Sequence, residues 1–132
     1  MNLELTDNRK EVLEAIRQAE LKALEKCGLV AEGYAKKMAP VDTGNLRNSI
    51  SHKVDEAEKE AHIGTNSEYA AYVELGTGRY TEGGRQDPWV YQDDEGRWHH
   101  THGQRAQPYL KPAVADHKRT YQNIIEDELK NA

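Results

Sequence analysis

One apolar stripe constrains this chain more than any other feature. Val12, Ile16, Ala19, Ala23, Cys27, Val30 and Tyr34 recur at spacings of three and four residues, which marks one face of an α-helix. The pattern predicts a helix over residues 7–38, with Thr6 or Asp7 available as its cap. Gly28 and Gly33 each cost about 1 kcal/mol relative to alanine inside a helix, so a bend or break is expected near Gly28. The alanines make the stripe narrow enough to pack on a sheet or on a partner's helix. The other faces carry Glu, Lys, Arg and Gln, as solvated faces do.

Pro40 ends this pattern, because the residue before a proline is pushed out of the helical region. Asp42 and Thr43 then offer side-chain oxygens to orphan N–H groups, and Gly44 permits a tight backbone. Leu46 and Ile50 point inward. The segment predicts a capped short helical turn that reverses the chain and launches a strand at Ser49.

The chain has 132 residues, the size of one domain with one core, here spanning 1–132. That core must be modest: 36% of residues are hydrophobic and there is no Phe. A net charge of -5 argues against a general nucleic-acid binder, since phosphate affinity comes from excess Lys and Arg, though it leaves room for local basic patches; no sequence-specific nucleic-acid partner is expected. The single cysteine, Cys27, has no internal disulfide partner and is expected as a buried thiol. The polar, charged N-terminus does not resemble a secretory signal, and no apolar run approaches a membrane span. The expected site of synthesis and assembly is the cytoplasm.

Beyond Ser49, residues 49–54 alternate with Ile50, His52 and Val54 on one side, a half-buried strand whose returning partner is residues 61–64. The link between them, residues 55–60, has helix-forming composition and is a poor tight turn. Asn66 or Ser67 can cap a short helix through Tyr69, Tyr72 and Val73, stopped by Gly76. Residues 76–87 are glycine-rich and charged, and read as a long exposed loop. Within it, residues 76–84 are expected to be mobile until a neighbour orders them. Arg79, Tyr80 and Arg85 are the candidate interface residues, because Arg and Tyr are enriched at protein interfaces. Residues 88–102 form a second hairpin around Asp93-Asp94-Glu95-Gly96, and a four-residue turn sets Tyr91 opposite Trp98 and Trp89 opposite His100. A last helix runs from Pro112 to about Leu129, with Val114, Tyr121, Ile125 and Leu129 inward. The expected fold is α+β: a long N-terminal helix, a small antiparallel sheet with hairpins, and a C-terminal helix packed on one face.

Candidate chemistry is sparse. Asp42-Thr43-Gly44 matches the short signature of aspartic proteases, which pair two carboxylates and in so short a chain would require a homodimer. That signature belongs at the end of a buried apolar strand, whereas Lys36-Lys37-Met38-Ala39-Pro40 precedes it here. His99, His100 and His102 lie near Asp93, Asp94 and Glu95, yet only His100 and His102 share a strand face, and no metal-ligand spacing supports them. The favoured reading is a solvent-facing hairpin in which His100 covers Trp89. Gly76-Thr77-Gly78 lacks the following helix that a phosphate-binding loop needs. No catalytic residue, metal or cofactor is expected.

Three separated stretches resemble one family. Pro40-Val41-Asp42-Thr43-Gly44-Asn45-Leu46-Arg47-Asn48-Ser49-Ile50 is similar to its "P-x-D-T-G-x-L-x-x-S-I" segment. Tyr69-Ala70-Ala71-Tyr72-Val73-Glu74-Leu75-Gly76-Thr77-Gly78 is similar to "Y-A-x-Y-V-E-x-G-T". Gln107-Pro108-Tyr109-Leu110-Lys111-Pro112-Ala113 is similar to "x-P-[FY]-L-x-P-A". These carry the resemblance to phage and prophage head–tail joining or tail-completion proteins of the gene-product-ten type, from siphophages related to the Hong Kong lambdoid phages. It runs through most of the chain from Met38 onward, and residues 83–102 look like a hairpin insertion. The resemblance implies a non-enzymatic virion component of the tail or neck, assembled as a ring of copies. Its implied neighbours are head-closure, connector, tail-tube or tail-terminator proteins. It also implies structural roles for the motif residues, with Asp42 and Thr43 capping, Leu46 packing, and Glu74 with Gly76 ending the short helix.

Overall fold

The computed structural model describes residues 3–40, 45–67, 70–93 and 95–132. The stripe forms one unbroken 30-residue helix, α1 (Arg9–Met38), running through both glycines. Its start draws on Asp7, whose Oδ1 accepts the Arg9 backbone N–H at 3.1 Å. The expected break at Gly28 is absent because the glycine serves packing. A Cβ there would stand 2.8 Å from the imidazole of His52. The buried line of α1 is Ala19, Ala23, Cys27, Gly28, Ala31 and Ala35, and Val30 and Tyr34 at its margin are half-buried.

After the short helix α2 (Asn45–Ser49), strands β1 (Ile50–Asp55) and β2 (Glu60–Thr65) pair antiparallel along α1. Ile50 pairs with Thr65 and Asp55 with Glu60. The four intervening residues make the turn, and Asp55 Oδ1 accepts the Glu58 N–H at 3.1 Å. Ion pairs from Arg17 to Glu56 and from Lys59 to Glu20 hold this hairpin tip against α1.

Helix α3 (Ala70–Leu75) ends at Gly76, whose φ of 81° is the left-handed stop expected there, with its N–H on Tyr72 O. One 3-10 turn, Gly78–Tyr80, follows. Strands β3 (Trp89–Gln92) and β4 (Trp98–Thr101) form a second antiparallel pair, separate from the first. Its register differs by one from the expectation: Tyr91 faces His99, and Gln92 faces Trp98. Gly96 takes φ 82°, so the loop closes as a turn plus a left-handed bulge residue, and Asp93 pairs with Arg97. Tyr91 therefore stacks on His99 with ring centroids 5.1 Å apart. His100 packs edge-on to His102 and does not cover Trp89, which lies under Arg85.

The C-terminal segment is two helices, α4 (Leu110–Ala115) and α5 (Lys118–Lys130). Between them His117 stacks on Tyr34 at 3.6 Å and 6°, and this anchor resets the helical phase. The inner face of α5 consequently carries Tyr121, Ile124 and Glu128, while Val114, Ile125 and Leu129 are exposed. Helix α5 runs antiparallel along α1, with Cys27 Sγ on Tyr121 O and Lys26 paired to Glu128.

The core is small: Ala35, Ala39, Leu46, Ile50, Tyr109 and Ala113, flanked by Tyr34, Ile63, Ala70, Val73 and Leu110. Tyr109 is its one large, wholly buried side chain among the described residues. The inward placement of Leu46 and Ile50 agrees with the sequence.

Candidate functional site

Glu74 sits near the end of α3, yet its carboxylate serves α4. Oε2 accepts the N–H of Tyr109 at 2.7 Å and of Leu110 at 3.0 Å, and Oε1 accepts that of Lys111 at 2.9 Å. These are orphan donors of the α4 N-terminus. The next residue is Pro112, which has no N–H to satisfy. Burial, the largest single influence on Glu74, raises its pKa, but the three donated hydrogen bonds together outweigh it and hold the carboxyl below its ordinary value. From the last turn of α3, Glu74 also caps α4, joining two of the motif stretches.

The segment expected to lack an anchor is instead tied down by backbone. Thr77 N–H donates to Gln104 O, Arg79 N–H to His102 O, and Gln104 N–H to Thr77 Oγ1, at 2.9, 3.1 and 2.8 Å. Gly78 makes this crossing possible. It holds φ 62°, and a Cβ there would lie 2.1 Å from His102 O. Residues 76–80 are thus clamped against 102–106, and the clamp forms the base of an arm made by β3 and β4.

The arm is exposed and rich in arginine and aromatic rings. Arg79 and Arg105 stand over the ring of Tyr80 at 5.0 and 5.2 Å, and Arg85 stands over Trp89 at 5.6 Å. Arg79 also donates to the Tyr80 hydroxyl, and this bond lowers the tyrosine pKa. Arg105 joins Arg79 on Tyr80 and Trp89 underlies Arg85, so two cation–ring groups hold the three predicted interface residues; the 26-residue gap from Arg79 to Arg105 hid the first of these partners. Trp98 and Val90, on the other strand face, are 69% and 59% exposed.

At the opposite strand pair, His52 bridges β1 to α1. Its Nε2 meets Glu25 Oε1 at 2.5 Å and its Nδ1 meets Glu32 Oε1 at 3.1 Å. The Glu25 contact raises the histidine pKa, against a smaller opposing effect of burial, with Glu32 adding to the rise.

The remaining motif residues take structural places. Ser49 donates to Leu46 O at 2.7 Å and meets Thr65 Oγ1. Val73 packs on the core and its carbonyl accepts the Gln107 N–H. Leu110 and Ala113 line the core, Pro40 and Pro112 are half-buried, and Tyr72 and Pro108 are exposed. Asp42, Thr43, Gly44 and Tyr69 lie outside the described residues, so the capping expected of the first two does too. Asp93 accepts from His99, Arg97 and the Glu95 N–H, which pushes it down to about 2, the His99 contact contributing most. Among the described residues, no group of His, Cys, Asp or Glu could hold a metal ion.

A long helix with an antiparallel hairpin along it, closed by a capped C-terminal helix pair, is an α+β fold. The family model described as "Bacteriophage HK97-gp10, putative tail-component" matches residues 4–76, and the chain belongs to that family. The match takes in α1, which the three motif stretches do not reach, and stops at Gly76, where the arm begins. Neither the curated proteins nor the solved structures contain a match to this chain. The family is one of phage tail components, which gives the homodimeric protease reading of Asp42-Thr43-Gly44 no support.

Proposed function

We propose that this chain is a non-enzymatic protein of the phage tail or neck, acting in tail completion or head–tail joining as a ring of identical copies. Residues 1–132 act as one unit, with 83–102 as an arm inserted into it. Its neighbours are head-closure or connector proteins on one side and tail-tube or tail-terminator proteins on the other. No helix of the described residues is long and apolar enough to cross a membrane.

The observation that carries this reading is the start of α1. The stripe buried from Ala19 onward continues toward the N-terminus, but its cover does not. Val12, Leu13 and Ile16 are 46%, 65% and 39% exposed, and Leu5 is 98% exposed. Apolar side chains left uncovered at neighbouring helix positions, as Val12, Leu13 and Ile16 are, mark contact sites, and a tail component meets its neighbours through such sites. The test is size analysis and electron microscopy of the purified chain, followed by capture from an induced phage lysate. Closed rings that retain connector or tail-tube proteins support the proposal. A monomer that retains neither and cleaves a peptide would replace it with an enzymatic reading.

A further inference from the structure

The arm and the tip of the β1–β2 hairpin are chemically complementary, and they stand at opposite ends of α1. Arg79, Arg85 and Arg105 rest on aromatic rings, and none has a carboxylate within ion-pairing distance among the described residues. Arg97, by contrast, is held by Asp93 and Glu95. A guanidinium stacked on a ring keeps its N–H fork open to a carboxylate, and Arg with Trp and Tyr dominates the energetics of protein interfaces. The exposed Trp98 and Val90 supply apolar area on the opposite face of the same arm.

The tip carries Asp55, Glu56, Glu58 and Glu60 within six residues. Glu56 shares Arg17, Glu60 shares His62, and Glu58 forms no ion pair among the described residues. The tip touches α1 at Arg17, whereas the arm is rooted beside Tyr109, which packs in one cluster with Ala35. From Arg17 to Ala35 a helix rises about 27 Å at 1.5 Å per residue, and no ion pair joins arm and tip among the described residues.

We infer that the arm of one copy docks on the acidic β1–β2 tip of a second copy, joining copies head to tail. Two different patches on one chain make a heterologous contact, which closes into a ring when its rotation allows. A nucleic-acid strand fits the arm less well. Residues 76–107 hold four arginines against five carboxylates, so the positive charge is confined to Arg79, Arg85 and Arg105, enough for a short acidic tip but not for a phosphate backbone along the whole arm. The inference rests on the ring reading above and names the contact that builds it.

Charge reversal of the full chain tests it. One variant carries Arg79→Glu, Arg85→Glu and Arg105→Glu; the other carries Glu56→Lys, Glu58→Lys and Glu60→Lys. Circular dichroism establishes that both fold, and sedimentation velocity at low and high ionic strength reads assembly. The expected result is that the wild type assembles at low salt and each variant alone associates at least tenfold more weakly. An equimolar mixture of the two variants should recover assembly, since each unlike pair then restores opposite charges. If the wild type assembles and both variants do so equally well, the arm-to-tip contact is wrong while the ring stands. If the variants fail alone and also fail when mixed, the contact is wrong as well. A wild type that stays monomeric at every concentration and salt removes both the contact and the ring.

Discussion

The carboxylate of Glu74 lies 2.7 Å from the backbone nitrogen of Tyr109, across 35 residues of chain. Through it, the end of α3 fixes the start of α4, and α4 in turn seats Tyr109 and Ala113 in the core. Two stretches that look independent along the sequence are one joint in space.

Removing that joint should cost more than an ordinary cap. Hydrogen bonds to a charged group contribute roughly 1.5–3 kcal/mol, and three donors would be orphaned together. Glu74→Ala is expected to destabilise the fold by about 2–3 kcal/mol, and Glu74→Gln, which keeps one acceptor oxygen, by roughly half that. Because the folded pKa of Glu74 lies below its unfolded value, its contribution is present above the unfolded pKa and lost as pH falls through the folded one. Denaturant titrations should therefore show the gap between wild type and Glu74→Gln closing in acid.

The two glycines of α1 should respond to alanine with opposite signs. Nothing lies within 4 Å of a Cβ built on Gly33, so Gly33→Ala is expected to stabilise by about 0.5–1 kcal/mol through helix propensity. At Gly28 the new methyl group would meet the Cδ2, Cγ and Cβ of His52 between 2.8 and 3.2 Å. His52 is pinned by Glu25 and Glu32 and cannot simply swing away. Overpacking of this kind costs roughly 1–3 kcal/mol, which outweighs the propensity gain. A pair of thermal melts reads both.

Much of this fold was legible because it is local. The stripe of α1, the alternation of Ile50, His52 and Val54, and the glycine stop at Gly76 are short-range patterns, and each appears as the sequence implies. What was hidden depends on contacts distant in sequence. The break at Asp116 and His117 follows from the stacking of His117 on Tyr34, which no helical periodicity of residues 112–129 encodes. The shifted register of β3 and β4 turns on one left-handed residue, Gly96, in a turn that composition alone allows to close in two ways. The role of Glu74 and the clamp at Gly78 needed the partner strand of backbone before they could be seen. Of the candidate interface, Arg79, Tyr80 and Arg85 were visible by residue type, whereas Arg105 enters only through the fold.

Tyr109 buries a hydroxyl with no hydrogen-bond partner among the described residues. Burial raises its pKa, with the nearby Glu74 charge adding to the effect, so the phenol stays protonated. An unsatisfied buried hydroxyl contributes a penalty and no bond, so Tyr109→Phe should leave stability unchanged or raise it by up to about 1 kcal/mol. Tyr109→Ala, which empties the centre of the core, should cost roughly 3–5 kcal/mol. Urea unfolding of the two variants separates hydroxyl from ring.

Leu13 offers a way to disturb contacts without disturbing the monomer. It is 65% exposed on the uncovered start of α1. Leu13→Lys is expected to change unfolding free energy by no more than about 0.5 kcal/mol, as surface substitutions usually do. Association measured by sedimentation should nevertheless weaken.

His52 should give the fold a pH dependence of a particular sign. Its imidazole lies over Gly28 between Glu25 and Glu32, and Lys36 shares Glu32 from the next turn of α1. The Glu25 contact, with Glu32 behind it, raises the histidine pKa in the folded state. A raised histidine contributes its full stability below the unfolded value near 6.5 and loses it as pH climbs through the folded one. With Glu25 largely exposed, the pair contributes only about 1 kcal/mol. The thermal midpoint of the wild type should therefore fall between pH 6 and pH 9. A variant carrying Glu25→Gln and Glu32→Gln lacks the charges that favour the imidazolium, and its midpoint should be flatter over the same span. An equal slope in both proteins would show that the pH dependence arises elsewhere and that His52 clamps β1 to α1 by packing alone.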